Sequence, residues 1–193
     1  MGTTVAEISM SLDGFVTGPD PGPEQGLGRG GEPIHAWVFE GDETDQKVLA
    51  GTAASVGAVV MGRRTFDNVD GPRGWQAGEG YAPGHQLSPP IFVVTHRAPA
   101  TVRLPRVSFV TDGPAAAISR AVAAADGKDV SVMGGADVVR QAVRLGLADE
   151  LRIHLSPVLL GEGTRLFGGG ELQLLRQDRV QVSAQAIHIT YRL

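Results

Sequence analysis

The stretch that decides the fold is Ala58-Val59-Val60-Met61-Gly62-Arg63-Arg64-Thr65-Phe66-Asp67. Its first four residues belong to a continuous apolar run, which is typical of a strand that is covered on both faces. The run ends at a glycine, two arginines and a threonine, where a helix turn is predicted to begin. Such a junction suits an anion, because Gly62 allows close approach to the backbone and Thr65 offers a hydroxyl and an amide. A tight turn with two solvated arginines explains the same residues.

Similar apolar runs recur along the chain and predict the other strands. The predicted strands are Val5–Met10, Val56–Met61, Ile91–Thr95, Val107–Val110, Val130–Met133, Leu151–Leu160, Leu172–Val182 and Ile187–Tyr191. Helices are predicted at residues 43–54, from a cap at 112–114 onward, and at 136–145. Strands that alternate with helices indicate an α/β fold with a mostly parallel sheet. The last two runs alternate apolar and polar residues, which predicts an antiparallel edge ribbon with a turn or bulge between them.

Two segments rich in glycine and proline interrupt this pattern, at residues 18–33 and 71–90. We interpret both as long loops within one domain that spans residues 1–193, because the residues before the first segment are too few for a separate core. A domain boundary at either segment is the alternative. Long loops at the carboxyl edge of a sheet are commonly lids or binding loops.

Composition excludes several classes of protein. The net charge of -4 argues against general binding to nucleic acids or anionic membranes. The absence of cysteine excludes disulfide scaffolds, thiolate metal sites and cysteine nucleophiles. The five histidines are scattered, so no metal site is predicted. No signal peptide is evident, and no apolar run approaches the ~20 residues of a membrane span, so we expect a cytoplasmic protein.

Two more strand ends carry groups that suit an anion. Val132–Val139 contains a glycine pair between a strand and a helix, which would aim backbone amides at a phosphate, although a simple turn has the same appearance. Val93–Arg97 ends in Thr-His-Arg, where His96 alone would be an ordinary surface histidine. Because ligands of open α/β sheets bind outside the carboxyl ends of the strands, three such ends indicate one binding edge.

Four segments in this order resemble the dihydrofolate reductase superfamily: Ser11–Gly14 (Ser-Leu-Asp-Gly), Val59–Phe66, Val93–Arg97 and Val132–Val139. More closely, the chain resembles the C-terminal reductase domain of bifunctional riboflavin-biosynthesis deaminase-reductases, and His154–Phe167 extends that similarity. The resemblance spans nearly the whole chain. It implies a dihydrofolate-reductase-like fold, with a central sheet flanked by helices, and a reductase that uses NADPH.

The resemblance also implies which residues hold NADPH. The arginine loop Thr95–Arg97, together with Arg63, would surround the adenosine 2′-phosphate. Arg64 and Thr65 would help to hold the pyrophosphate. The glycine turn and the helix start after it would lie under the pyrophosphate and the nicotinamide. The complete set is Gly62, Arg63, Arg64, Thr65, Thr95, His96, Arg97, Gly134, Gly135, Ala136, Asp137 and Val138.

On the substrate side, the related branch uses its Ser-Leu-Asp-Gly segment beside the substrate. The resemblance therefore makes Asp13 the preferred catalytic and substrate-binding residue, with Gly14 beside it. The proton that accompanies hydride transfer would come from Asp13, from another loop acid or from water. Asp13-Gly14 as a turn without a catalytic role is the alternative.

Further substrate residues are predicted around the first long helix. Classical dihydrofolate reductases grip the pterin with an acidic residue there, and Asp45 is one candidate beside Asp42 and Glu43. Stabilisation of the helix dipole explains these acidic residues as well. An aromatic wall for a flat heterocycle, or alternatively core packing, is offered by His35, Trp37 and Phe39.

The sequence thus predicts NADPH-dependent hydride transfer to a C=N or C=O group of a small heterocyclic or sugar-derived substrate. One alternative is the riboflavin-pathway 5-amino-6-(5-phosphoribosylamino)uracil reductase. The chain has no cysteine for the zinc deaminase domain of the bifunctional enzymes, so a reductase without that domain is expected. Another alternative is a non-catalytic NADPH-binding protein. A homodimer is predicted from the terminal strand ribbon, the arginine-rich second half and the family resemblance.

Overall fold

The computed structural model describes residues 2–72, 74–75, 89–170 and 173–193. The strands are β1 Thr4–Ser11, β2 Phe15–Thr17, β3 Val56–Gly62, β4 Ile91–Val94, β5 Val107–Val110, β6 Asp129–Met133, β7 Glu150–Ser156, β8 Thr164–Arg165, β9 Arg176–Val182 and β10 Ile187–Arg192. The helices are α1 Ala36–Phe39, α2 Glu43–Ser55, α3 Arg63–Asp70, α4 Pro114–Ala124 and α5 Ala136–Arg144. A 3₁₀ turn, Glu32–His35, leads directly into α1.

Eight strands form one sheet in the order β5-β4-β3-β6-β1-β7-β10-β9. The first six are parallel, whereas β10 runs antiparallel to β7 and β9 runs antiparallel to β10. This arrangement confirms the predicted α/β class and the antiparallel ribbon at one edge. A separate pair of short strands, β2 and β8, is antiparallel.

The predicted elements differ from the observed ones in a few places. Strand β7 ends at Ser156 instead of Leu160, because Pro157 has no N–H to continue a ladder. The 3₁₀ turn and α1 are four residues each and too short to show a helical period. Within the first glycine-rich segment, Gly18 N–H donates to the Leu27 carbonyl at 2.8 Å, so residues 18 and 27 are held together across this segment. Most of the second segment, 71–90, lies outside the described residues.

The two faces of the sheet bury different kinds of side chain. On one face, apolar residues of the strands pack against α4 and α5. On the other face, α3 inserts the buried Phe66 among residues of β3 and β4. Strand β1 shows the contrast within one segment. Its Ala6, Ile8 and Met10 join the apolar cluster under the helices, so the pleat turns Glu7 and Ser9 to the opposite face.

This polar part of the sheet is covered by residues 32–39, which we call the roof segment. The indole N–H of Trp37 donates to Ser9 Oγ at 2.9 Å. Ser156 Oγ donates to the carbonyl of Ile34 at 2.8 Å. Both bonds are buried, so the roof segment is attached to β1 and β7 by side chains of the sheet itself. No helix among the described residues is long and apolar enough to cross a bilayer.

Candidate active site

Three predicted anion junctions lie at the carboxyl ends of neighbouring strands, β4, β3 and β6. The structure joins two of them directly, because Gly62 N–H donates to the carbonyl of Gly134 at 3.2 Å. Helix α3 begins one residue after Gly62, and α5 begins one residue after Gly135. No side chain caps either helix start. First-turn amides from both helices are therefore available at the same edge.

Side chains of α3 and α5 pack closely against the glycines of these junctions. A Cβ atom on Gly135 would lie 3.2 Å from Thr65 Oγ1, and one on Gly62 would lie 3.0 Å from Val138 Cγ2. Gly134 has φ of +53°, in the left-handed region that glycine favours, and the peptide bond to Gly135 is cis. The glycines thus bring bare backbone and the Thr65 hydroxyl together, which fits a phosphate group.

Arg63 links the arginine loop to α3. Its Nη1 donates to the carbonyl of Arg97 at 2.6 Å, and its Nε donates to Asp67 Oδ1 at 2.7 Å. Thr95 Oγ1 donates to the same Arg97 carbonyl at 2.9 Å. These bonds hold the loop after β4 against α3. They leave the side chains of Arg97 and its neighbour His96 exposed to solvent.

Two other predicted cofactor residues, Arg64 and Asp137, differ in how free their side chains are. Arg64 is exposed at the start of α3, beside the glycine junction. Asp137 is bound within its own helix, because Arg140 Nη2 and Gln141 Nε2 donate to its two oxygens at 3.2 and 2.8 Å. The residues of this edge together offer glycine backbone, two helix starts and exposed cations. That donor set fits the phosphates of a dinucleotide.

The Asp13 carboxylate accepts hydrogen bonds from its own turn and from residues 160–161. Ser11 Oγ donates to Oδ1 at 2.6 Å, and the amides of Leu160 and Gly161 donate to the two carboxylate oxygens at 3.1 and 2.7 Å. The Ser11 hydroxyl and these amides lower the pKa of Asp13 to about 2. Gly14 follows with φ of +87°, as a tight turn requires. Asp13 is thus an ionised carboxylate that accepts three hydrogen bonds, which disfavours it as a proton donor and favours a role in attaching this turn to residues 160–161.

A buried polar network under the roof segment is absent from the sequence-based predictions. Glu7, His154, His188 and Asp45 are joined by three successive hydrogen bonds, and we call them the Glu–His–His–Asp network. His154 Nε2 lies 3.2 Å from Glu7 Oε1, and the two Nδ1 atoms of the histidines lie 2.7 Å apart. His188 Nε2 lies 2.8 Å from Asp45 Oδ1. Trp37 covers the network, with its ring centroid 4.2 Å from that of His154.

The network needs more protons than two neutral imidazoles carry. Each of its three hydrogen bonds requires one proton, and a neutral histidine supplies one. Burial and the charge of His154 lower the pKa of His188. Burial, the largest single effect, would raise the pKa of Glu7, but the hydrogen bond from His154 and the charges of His154, Arg152 and His188 together outweigh it and lower that pKa. The network therefore holds one proton more than two neutral imidazoles supply, while the lowered pKa of Glu7 keeps that carboxylate ionised.

Two predicted substrate residues belong to this network or to its cover. Asp45 is 0% exposed and closes the capping box of α2, where its Oδ2 accepts from Asp42 N–H at 2.9 Å. A substrate cannot reach that carboxylate. Trp37 is buried as part of the roof segment, whereas Phe39 is 80% exposed on its outer side. Of the predicted aromatic residues, Trp37 is therefore packed in the interior, whereas Phe39 faces solvent.

The described residues include no group of three or more histidine, aspartate or glutamate side chains that could hold a metal ion. An eight-stranded, mostly parallel sheet with this strand order and ribbon is the dihydrofolate-reductase-like fold. The sequence profile of the RibD C-terminal domain matches residues 3–189. The chain therefore belongs to the RibD C-terminal domain family, and the family resemblance predicted from the four segments is confirmed.

Two Bacillus subtilis (strain 168) proteins are similar in sequence. The uncharacterized protein YwjB is 24% identical over 164 residues, which are 85% of this chain and 82% of YwjB. The uncharacterized protein YyaP is 49% identical over 41 residues, only 21% of this chain and 22% of YyaP. Because YyaP matches over about a fifth of its length, its similarity is local.

One similar solved structure is the diaminohydroxyphosphoribosylaminopyrimidine deaminase/5-amino-6-(5-phosphoribosylamino)uracil reductase of Thermotoga maritima. It superimposes with a TM-score of 0.63 at 18% sequence identity. The match covers 99% of this chain but 56% of the Thermotoga chain, so this protein spans about half the length of that enzyme. At this level of identity the similarity shows the fold.

The proton count of the network gives a first prediction. Of the four ring nitrogens of His154 and His188, we expect three to carry a proton at pH 7, because each of the three hydrogen bonds of the network needs one proton. Long-range ¹H–¹⁵N correlation spectra of histidine-labelled protein measure this number, with His154→Gln and His188→Gln for assignment. Two protonated nitrogens would place the extra proton on a carboxyl group and contradict the assignment.

A second prediction concerns His35 in the roof segment. Burial, aided by the charge of His154, lowers its pKa to about 4. The unfolded chain binds this proton from about pH 6.5 downward. Its contribution to stability is therefore complete above about pH 6.5 and is lost as the pH falls towards about 4. Urea denaturation between pH 7.5 and 4.5 should show a shallower loss for His35→Gln, whereas His96→Gln, on the exposed loop, should keep the wild-type slope.

Proposed function

We propose that this protein is an NADPH-dependent reductase that transfers hydride to a C=N or C=O group of a small heterocyclic or sugar-derived substrate. The observation that carries the proposal is the convergence of three strand ends at one edge of the sheet. There the glycine turn, the Thr65 hydroxyl and two helix starts lie together, with exposed Arg64 and Arg97 beside them. Membership in the RibD C-terminal domain family supports an enzyme of this kind.

The bound nicotinamide would supply the hydride. The chain itself would bind and orient the cofactor. Gly62, Gly134 and Gly135 would let the phosphates approach the backbone, and Thr65 would donate its hydroxyl. Exposed Arg97 would read the 2′-phosphate, because its loop is held against α3 by Arg63. Clustered cations at this position distinguish NADPH from NADH.

The structure favours a substrate without a phosphate group. The long loop and roof offer Arg29 and His35 as cationic candidates. Arg29 Nη2 lies 3.7 Å from carboxylate oxygens of both Asp20 and Glu162, so its charge is already balanced. His35 has a pKa of about 4, lowered by burial, and is neutral near pH 7. Neither Arg29 nor His35 therefore offers an unpaired positive charge to the phosphate of a phosphoribosyl chain.

The riboflavin-pathway reductase is the second candidate, because family membership favours it. It acts on a phosphoribosylaminopyrimidine and requires a phosphate site on the substrate side. Turnover of 5-amino-6-(5-phosphoribosylamino)uracil with NADPH would establish this candidate over the unphosphorylated substrate.

For the cofactor, we expect calorimetric titration to give at least about tenfold tighter binding of NADPH than of NADH. Arg97→Ala should remove most of this preference, because a hydrogen bond to a charged group is worth about 1.5–3 kcal/mol. Arg179→Ala, an exposed arginine on the edge strand β9, is the matched control and should keep the preference.

Equal affinity for both cofactors in the wild-type protein would contradict the NADPH assignment, and absence of binding would refute the reductase. Tight NADPH binding without loss of reduced-nicotinamide absorbance across a panel of heterocycles would favour the non-catalytic alternative. Retention of the preference in Arg97→Ala would show that Arg97 does not read the 2′-phosphate.

We also propose that the protein is a homodimer that associates through the terminal ribbon. Strand β9 is the last strand of the sheet, and Val180, Val182 and Ile187 are exposed on the ribbon. Light scattering should give twice the 20.2 kDa of one chain. Val182→Asp should shift the mass towards the monomer, whereas Val102→Asp, exposed near the opposite edge, should not. A wild-type mass of 20.2 kDa would refute the dimer.

A further inference from the structure

The Glu–His–His–Asp network has one closed end and one open end. At the closed end, Asp45 Oδ1 accepts from Ser183 Oγ at 2.8 Å in addition to His188, and Oδ2 accepts from Asp42 N–H. This carboxylate is fully buried. Asp45 therefore anchors the network in α2 and in the turn of the terminal ribbon.

Glu7 forms the open end. Its Oε1 faces His154, but its Oε2 is buried and has no hydrogen-bond partner among the described residues. The Oε2 atom itself is buried, but the side chain as a whole is 13% exposed, so other atoms of Glu7 border accessible space. An unsatisfied buried oxygen on a charged group is energetically costly and requires an explanation such as a water or a ligand.

Arg152, a cation on the strand next to Glu7, forms its hydrogen bonds with another carboxylate. Arg152 is the register partner of Glu7 on β7. Its charge helps to lower the pKa of Glu7, although burial, which raises that pKa, and His154, which lowers it, have larger effects. Its Nη2 and Nε donate to Glu150 Oε2 at 2.8 and 3.2 Å. Arg152 thus supplies charge at a distance and makes no hydrogen bond to Oε2.

The open end lies next to the candidate cofactor edge. On the other side of β1, Glu7 is in register with Met133, the last residue of β6 before the glycine turn. Ser9, two residues further along the same face, holds Trp37 of the roof segment. Glu7 Oε2 is therefore placed between the roof and the strand that leads into the glycine turn.

The ionisation state determines what Oε2 can bind. A carboxylate accepts hydrogen bonds and has no proton to donate. The lowered pKa of Glu7 keeps it in this form, and the hydrogen bond with His154 holds Oε1, which fixes the direction of Oε2. The partner that fits must therefore be a donor. A substrate N–H satisfies this requirement, and a phosphate or carbonyl oxygen does not.

We propose that Glu7 recognises the substrate, with Oε2 accepting an N–H donor of the heterocycle that takes the hydride, while His154, His188 and Asp45 act as positioning residues. The proposal rests on the proposed reductase function, because it places the substrate beside the cofactor edge. It names the substrate class more narrowly as an N–H-bearing heterocycle such as a pyrimidine. Asp13 has no part in this contact.

The test compares two probes in the presence of NADPH. Uracil has two ring N–H donors, and 1,3-dimethyluracil keeps the ring and carbonyl groups but has none. Ligand-observed NMR titration of the wild-type protein should give at least about tenfold tighter binding of uracil, the effect of a hydrogen bond to a charged acceptor. Glu7→Gln should abolish this ratio, because its amide must turn its oxygen to His154 and then presents a donor to the ligand.

Glu40→Gln, the same chemical change on the outer side of α1, is the matched control and should keep the ratio. NADPH affinity, measured separately, should be unchanged in Glu7→Gln, and thermal unfolding should show that this variant folds. Equal binding of the two probes by the wild-type protein, or binding of neither, would overturn the proposal and leave Oε2 to a structural water.

Loss of NADPH affinity in folded Glu7→Gln would instead assign Oε2 to the carboxamide of the cofactor and overturn substrate recognition. If the wild-type protein binds no NADPH, the reductase function fails. The probe ratio measured without NADPH then still decides whether Glu7 selects an N–H donor.

Discussion

The structure depends on the register of strand β1, which is hydrogen-bonded on both sides to parallel neighbours. Its pairing with β6 puts Glu7 beside Met133, immediately before the glycine turn. Its pairing with β7 puts Ser9 beside His154, and His154 in turn lies beside His188 of β10. A shift of one residue would exchange the two faces of β1, burying Glu7 among apolar side chains and placing Ala6 in the polar layer under the roof segment. Both the cofactor edge and the buried network would then be lost.

Burying the polar face of a sheet costs free energy unless its polar groups form hydrogen bonds. The roof segment and α2 meet this requirement by supplying partners and cover together: Trp37 for Ser9, Ile34 for Ser156, and Asp45 for His188. Only Glu7 Oε2 among these sheet groups stands without a partner in the described residues. This unpaired oxygen lies beside the candidate cofactor edge, where it could accept a hydrogen bond from a bound ligand.

The two parts of the candidate site are built in different ways. The cofactor edge uses backbone and side chains within a few residues of three strand ends, so each piece is visible as a local motif. The Glu–His–His–Asp network uses side chains from four separate elements, β1, α2, β7 and β10. This difference explains why the sequence shows the junctions at Gly62, Thr65 and Gly134 as local motifs, while the hydrogen bonds of Glu7 have no local signature. The Ser-Leu-Asp-Gly segment is a conspicuous motif, whereas a glutamate inside an apolar run has no local signature.

The sequence by itself determined the α/β class, most strand and helix positions, and the junctions at Gly62–Thr65 and Gly134–Val138. These features depend on periodicity and on residues near each other in the chain, so local physical chemistry is sufficient to predict them. Tertiary structure alone decided that His154 and His188 share a proton and that Asp45 closes the network. Those bonds join residues 34 to 147 positions apart. Strand register and the placement of the roof segment bring them together, and no local pattern encodes either one.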